Sequence, residues 1–329
     1  MIEQFFIFGL GLFLLLKSSD LFVVSASRLA KIFGISELVI GLTVVAIGTS
    51  LPEFASSIVA SLAGNSGLII GNIIGSNIAN LALILGISGI IHSLKIEKSL
   101  FERECYILIG VTVLFYILLF DFIVSFSDAL ILVFLFVAYL FFMFKFKVQF
   151  QEVFKVKLYI EHLVNFRKFL RLLKDNFKKI LIGETLVLLI SLIGLFYGAS
   201  FMVGSAIKIA EFFSFTDTFV GLTLIALGTS LPELAVALVS LQKGFHNMLI
   251  GNIIGSNIFN ILFVGGFSAL INPLVVTGFT LTVLGPFLIV VSAVFLLFAW
   301  SDLQIKKTEG IVLLLLYLLF LVMILPKGA

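Results

Sequence analysis

The sequence predicts an all-α integral membrane protein of ten transmembrane helices, laid out as two inverted five-helix repeats. Three observations carry that reading. The composition is 61% hydrophobic and 12% charged with a mean hydropathy of +1.27. A motif-bearing stretch occurs twice, displaced by 180 residues. The basic residues fall almost entirely on one side of the predicted spans. Apolar runs of about 20 residues match the roughly 30 Å hydrocarbon layer when helical. Transmembrane strands would instead alternate apolar and polar residues, which the continuous run 311–325 does not.

The first span, 5–26, follows Glu3 rather than a basic start and leads into no small-residue cleavage pattern, so it reads as a retained helix rather than a leader. Spans 36–62 and 68–91 hold the first copy of the motif, and 105–121 and 123–144 complete the first half. Span 182–203 opens the second half, 215–241 and 247–271 hold the second copy, and 274–299 and 309–326 close it. The predicted organisation is therefore a first repeat over 1–146, a basic linker over 147–180 and a second repeat over 181–329. That linker reads as a solvated amphipathic connector on anionic headgroups, too short for a folded sensor.

Of the 21 Lys and Arg residues, 18 fall in loops on one side of these spans, and only Lys208 and Lys327 fall on the other. Lys17 lies inside the first span, three residues before Asp20, where it is expected to pair with it. The positive-inside rule makes the 18-residue side cytoplasmic and places both termini outside. The same distribution accounts for the net charge of +3 without a nucleic-acid partner. Single Cys105 allows no internal disulfide, and His92, His162 and His246 lack metal-ligand spacing. Lipid is the only macroscopic partner implied, and no protein partner is indicated.

Aligned without a gap, 41–86 and 221–266 share 24 identities in 46 positions. Gly48-Thr49-Ser50-Leu51-Pro52-Glu53 recurs as Gly228 to Glu233, and Gly71-Asn72-Ile73-Ile74-Gly75-Ser76-Asn77-Ile78 recurs as Gly251 to Ile258. Five crossings separate the second span from the seventh, so the copies enter the bilayer from opposite sides. Inverted repeats with interrupted helices at the midplane are the architecture of secondary transporters.

The motif chemistry agrees. Pro52 and Pro232 have no N–H for the carbonyls of Gly48 and Gly228, so each helix opens there. Thr49, Ser50 and Glu53 share a helical face, as do Thr229, Ser230 and Glu233. Asn72, Ser76 and Asn80 form a ladder at spacing four, matched by Asn252, Ser256 and Asn260. This is an oxygen-only donor set of the kind hard cations take, and neither Lys nor Arg lies in the motif spans to neutralise the glutamates. Gly71, Gly75, Gly251 and Gly255 read as small surfaces for close helix packing.

The two motif pairs resemble the α-repeats of the cation/Ca²⁺ exchanger superfamily, in the branch of Na⁺/Ca²⁺ exchangers and their prokaryotic relatives. The resemblance covers the whole chain. It implies that Glu53, Glu233, Thr49 and Thr229 coordinate Ca²⁺, the threonines partly through backbone oxygens. It further implies that Ser50, Ser76, Ser230, Ser256 and the carbonyls of Ala46 and Ala226 complete flanking Na⁺ sites. Asn260 stands where K⁺-dependent exchangers carry Asp, which argues against K⁺ dependence.

The expected function is Ca²⁺/Na⁺ antiport by alternating access in a prokaryotic plasma membrane, with transported ions and no cofactor. H⁺/Ca²⁺ antiport is the alternative within the superfamily, because some prokaryotic members blur the distinction in the first signature. A cation channel is the alternative from another class, although two interrupted helices favour an occluded central site. An intramembrane hydrolase finds no His-Glu-x-x-His and no nucleophile with a base, so the chain is not expected to be an enzyme.

Overall fold

The computed structural model describes residues 2–152, 176–212 and 226–324. Most of the expected linker and the first part of the seventh predicted span lie outside the described residues. The helices, in chain order, are α1 (Ile2–Phe33), α2 (Glu37–Thr49), α3 (Leu51–Leu62), α4 (Ser66–Ile91), α5 (98–118), α6 (Phe126–Glu152), α7 (Asn176–Phe212), α8 (Ala226–Thr229), α9 (Leu231–Gln242), α10 (His246–Ile271), α11 (Thr280–Asp302) and α12 (Lys307–Ile324). Among the described residues seven of these are long and apolar enough to cross a membrane, or eight if the bent pair α2 and α3 forms one span. Helices α5 and α9 occupy the places of the fourth and seventh predicted spans. The chain is thus an all-helical, multi-pass membrane protein.

Duplication is visible in the backbone. π-helical turns widen α4 at Ala79–Ile84 and α10 at Asn260–Gly265. They recur at Phe101–Cys105 in α5 and Thr280–Leu284 in α11. The tight turns after α3 and α9 use Gly64 (φ +71°) and Gly244 (φ +76°), left-handed positions where a side chain would be strained.

Two short antiparallel clips were not foreseen. β1 (Leu94–Lys95) pairs with β4 (Gln304–Ile305), and β2 (Ile123–Val124) pairs with β3 (Leu274–Val275). Leu94 faces Ile305 in one and Val124 faces Leu274 in the other, and all four are buried. Each clip is closed by a further bond, Ile96 N to Leu303 O at 2.7 Å and Val276 N to Phe122 O at 2.9 Å. Phe122 and Leu303 are the described non-glycine residues at positive φ, 64° and 51°. The second clip corrects the predicted span 274–299, since residues 274 and 275 are committed to a strand and the helix starts at Thr280.

Helices α1 and α7 lie side by side. A Cβ on Gly11 would come within 2.7 Å of Met202 N, and one on Gly198 within 2.6 Å of Leu15 N. Farther along, Arg28 Nη1 meets Glu184 Oε1 at 2.7 Å and Ser25 Oγ donates to Glu184 Oε2 at 2.9 Å. Rising numbers on α1 meet falling numbers on α7, so the helices are antiparallel. In lipid, helices gain no hydrophobic advantage from meeting each other, and glycine allows the backbone proximity that dispersion needs. The expected pairing of Asp20 with Lys17 is corrected: Asp20 Oδ1 binds Lys243 Nζ at 2.6 Å, because Lys243 ends the α9 helix that packs on α1.

Candidate functional site

Proline sets the site. In the first half the chain leaves helical geometry at Ser50 (φ −88°, ψ 7°), with Pro52 in the first turn of α3, and α2 and α3 meet at 43°. Ser230 does the same between α8 and α9 (φ −89°, ψ 6°), with Pro232 following. The two breaks bring the ends of four short helices together beside the middle of α4 and α10. Thr49, Ser50, Glu53, Ser76, Ser230, Glu233, Asn252 and Ser256 around this meeting place are all buried and oxygen-bearing.

Glu53 and Glu233, 1% and 0% exposed, lie within electrostatic reach of one another. Ser50 Oγ donates to Glu233 Oε1 at 2.9 Å, so the first repeat's break holds the second repeat's carboxylate. Thr49 Oγ1 donates to Asn252 Oδ1 at 3.1 Å and lies 3.5 Å from Ser256 Oγ. The carbonyl of Ala46 accepts from Ser50 N at 3.1 Å, and Thr49 Oγ1 and Ser256 Oγ each lie 3.4 Å from it. Ser76 Oγ donates to Asn72 Oδ1 at 3.4 Å, and Ser256 Oγ lies 3.5 Å from Asn252 Oδ1, so the first two rungs of each ladder touch. Asn72 Nδ2 donates to the Glu53 carbonyl at 3.1 Å and to Ser57 Oγ at 3.0 Å. Thr229 is half-buried at the break, and Ala226 begins α8.

Both carboxylate oxygens of Glu53, Oε2 of Glu233 and Oγ of Ser230 are buried and make no hydrogen bond. An unpaired buried carboxylate costs several kcal/mol, so orphaned acceptors gathered at one point are suited to a cation. Among the described residues no His, Cys or third acid joins the two glutamates in a cluster. The remaining donors must be hydroxyl, amide and peptide oxygens, which is the coordination chemistry of hard ions.

The last rung of each ladder behaves differently from its spacing. Asn80 and Asn260 stand at or beside the start of a π-helical turn. Neither bonds a glutamate: Asn260 Nδ2 donates to Asn77 Oδ1 at 3.3 Å, and Asn80 has no partner for Oδ1 or Nδ2. Among the motif glycines, Gly251 and Gly255 pack against the backbone of α2, where added Cβ atoms would lie 2.7 Å from Leu38 O and 2.5 Å from Leu42 O. Gly71 and Gly75 meet nothing within 4 Å among the described residues. Sequence reasoning missed Asn77 and Asn257, whose only signal was their place inside both motif copies. It also missed the glycine seam between α1 and α7, announced by Gly194 and Gly198 at spacing four.

A buried, oxygen-lined site where two duplicated helix breaks converge, inside a multi-pass helical protein, defines an ion-handling membrane protein. Comparison makes the class definite. The family described as sodium/calcium exchanger protein matches residues 3–145 and again 183–325, two copies displaced by the same 180 residues, and the chain belongs to that family. It is 38% identical to the sodium/calcium exchanger MaX1 of Methanosarcina acetivorans over 98% of each chain. It is 36% identical to the inner membrane protein YrbG of Escherichia coli over 88% of this chain and 86% of that one. Its structure is similar to that of the sodium-calcium exchanger NCX_Mj soaked with 2.5 mM Na⁺ and 0.1 mM Ca²⁺, with a TM-score of 0.82 and 34% identity over 98% of each chain.

Proposed function

We propose that the protein is a secondary antiporter that exchanges Ca²⁺ for Na⁺ across a prokaryotic plasma membrane. The observation that carries this is the pair of buried glutamates, one from each repeat, with three carboxylate oxygens unbonded among hydroxyl and amide oxygens. Family membership and the likeness to NCX_Mj support exchange rather than a channel. Two carboxylates balance one Ca²⁺, whereas several Na⁺ ions would fill the same donors. The ions therefore compete, and competition at a site opened to one face at a time is antiport.

In this reading Glu53, Glu233, Thr49 and Thr229 hold Ca²⁺. Ser50, Ser76, Ser230, Ser256 and the carbonyls of Ala46 and Ala226 supply the flanking Na⁺ positions, and Asn80 and Asn260 tune the site without a charge of their own. The chain crosses the membrane ten times as two inverted repeats, 1–146 and 181–329, joined by a cytoplasmic linker, with both termini outside. The clips support this layout. β1 and β2 flank α5, one crossing apart, and β1 pairs with β4 while β2 pairs with β3. Leu94 and its counterpart Leu274 then sit at opposite faces, as inversion requires. No resident cofactor or protein partner is needed, and the absence of Asp at 260 favours independence from K⁺.

The test is uptake of radioactive Ca²⁺ into proteoliposomes. Uptake driven by an outward Na⁺ gradient, saturable in Ca²⁺ and unchanged by a protonophore, is the expected result. Uptake that ignores Na⁺ and follows a pH gradient would assign H⁺ as the counter-ion, and flux needing no counter-ion would make the protein a channel.

A further inference from the structure

Asn77 of α4 and Asn257 of α10 hold the same position in the duplicated motif but are bonded differently. Asn77 reaches across to the other half: its Nδ2 donates to Asn257 O at 3.3 Å, and its Oδ1 accepts Asn260 Nδ2 at 3.3 Å. Asn257 stays on its own helix, with Nδ2 on Ile253 O at 2.6 Å and Oδ1 unbonded. Because backbone carbonyls only accept, the direction of both amides is fixed.

The mirror image of the bond Asn260 to Asn77 is Asn80 to Asn257. That bond is not made, although its donor, Asn80 Nδ2, and its acceptor, Asn257 Oδ1, are both buried and both without a partner. A buried amide left unbonded costs about 1–3 kcal/mol. All four asparagines are at most 1% exposed, so water is not freely available to satisfy them. One side of a symmetric arrangement is satisfied and the other stands ready.

We infer that Asn77 and Asn257 are positioning residues that alternately engage Asn260 and Asn80, and so decide which repeat's amide is held in a fixed orientation beside the cation. The inference rests on the antiport reading above. In a carrier built from inverted repeats, the halves exchange conformations when the site changes face. A bond made only by Asn77 here is then made only by Asn257 in the opposite state. That state is reached by releasing Asn257 Nδ2 from Ile253 O, which frees the side chain to turn its Oδ1 to Asn80. In the present setting Asn260 is fixed by its Nδ2 bond to Asn77 with its Oδ1 left unbonded, while the whole amide of Asn80 is free to turn.

The test compares Ca²⁺ half-saturation at the two faces, in right-side-out and inside-out vesicles. Asn77→Ala removes the bond of the state described here, and Asn257→Ala removes that of its mirror. The ratio of the two half-saturation values should shift in opposite directions, on the order of three- to tenfold each, the size expected of one buried hydrogen bond. The double variant should return toward the wild-type ratio. Shifts in the same direction, or an unchanged ratio in variants that still transport, would overturn the assignment. Should either alanine variant fail to fold, Asn77→Ser and Asn257→Ser carry the same expectation with less lost volume. Wild-type vesicles that do not saturate with Ca²⁺ would instead remove the antiport reading, so the two failures are distinguishable.

Discussion

Glu53 and Glu233 are isosteric with glutamine, which makes charge separable from shape at the site. Glu53→Gln or Glu233→Gln should abolish Ca²⁺ exchange, because the hydration lost on entry is no longer compensated by two full charges. Detergent-extracted variants should still elute as monodisperse protein, and exchange at the wild-type rate in either would remove these carboxylates from the mechanism. Asn260 lies nearby without a charge. Asn260→Asp should stay active with altered cation dependence, whereas Asn260→Leu should weaken exchange more: both remove the donor to Asn77 Oδ1, but only Leu also removes every polar atom at this position. An Asn260→Asp protein with unaltered ion dependence would place that residue outside the site. The residue types of this region were legible because an acid beside a proline in an apolar run is costly without a purpose. Which residues bond each other was not. Spacing put Ser50 near Glu53 on one face, but its hydroxyl serves Glu233 from the other repeat, a contact between residues 183 positions apart that no local periodicity contains.

At the scale of elements, glycine and proline make claims that substitution can separate. A side chain at Gly198 must displace the backbone of Leu15, whereas Gly9 on α1 has open space around it. Gly198→Val should therefore lower thermal stability and exchange together, while Gly9→Ala should leave both within error, as thermal unfolding and flux would show. Pro52→Ala supplies the N–H that the Gly48 carbonyl lacks. It should straighten the 43° bend and reduce Ca²⁺ uptake without reducing stability, and full uptake would separate the bend from ion binding. Helix positions followed from apolar run length, so the long described helices lie where the sequence placed apolar spans. Their interruptions were less readable: π-helical turns add one residue to a turn without changing composition. The clips eluded the sequence because two residues are too few to show an alternating pattern.

For the whole molecule, the sidedness of the clips is open to measurement. Cysteines in place of Lys95 and Gln304 should react with an impermeant thiol reagent from one face of intact vesicles. Cysteines in place of Ile123 and Val275 should react from the other, in a Cys105→Ala background. Labelling of all four from one face would exclude the inverted layout. In the sequence the expectation of this arrangement rests on the parity of crossings and the distribution of Lys and Arg, whose segregation reflects how loops are translocated rather than how helices pack.

The pairing in those clips bears on how such a chain could have originated. Leu94 and Leu274 occupy the same place in the two halves, and each meets a β-branched residue, Ile305 or Val124, from the half that is not its own. This is reciprocity: patch one of the first half holds patch two of the second, and the converse. Two identical half-length chains related by a two-fold axis would make that same contact with themselves, because an isologous interface requires residue i to meet j while j meets i. The reciprocal pairing thus gives a single polypeptide the form of a homodimer seam, and in the inverted layout proposed above one catch lies at each membrane face.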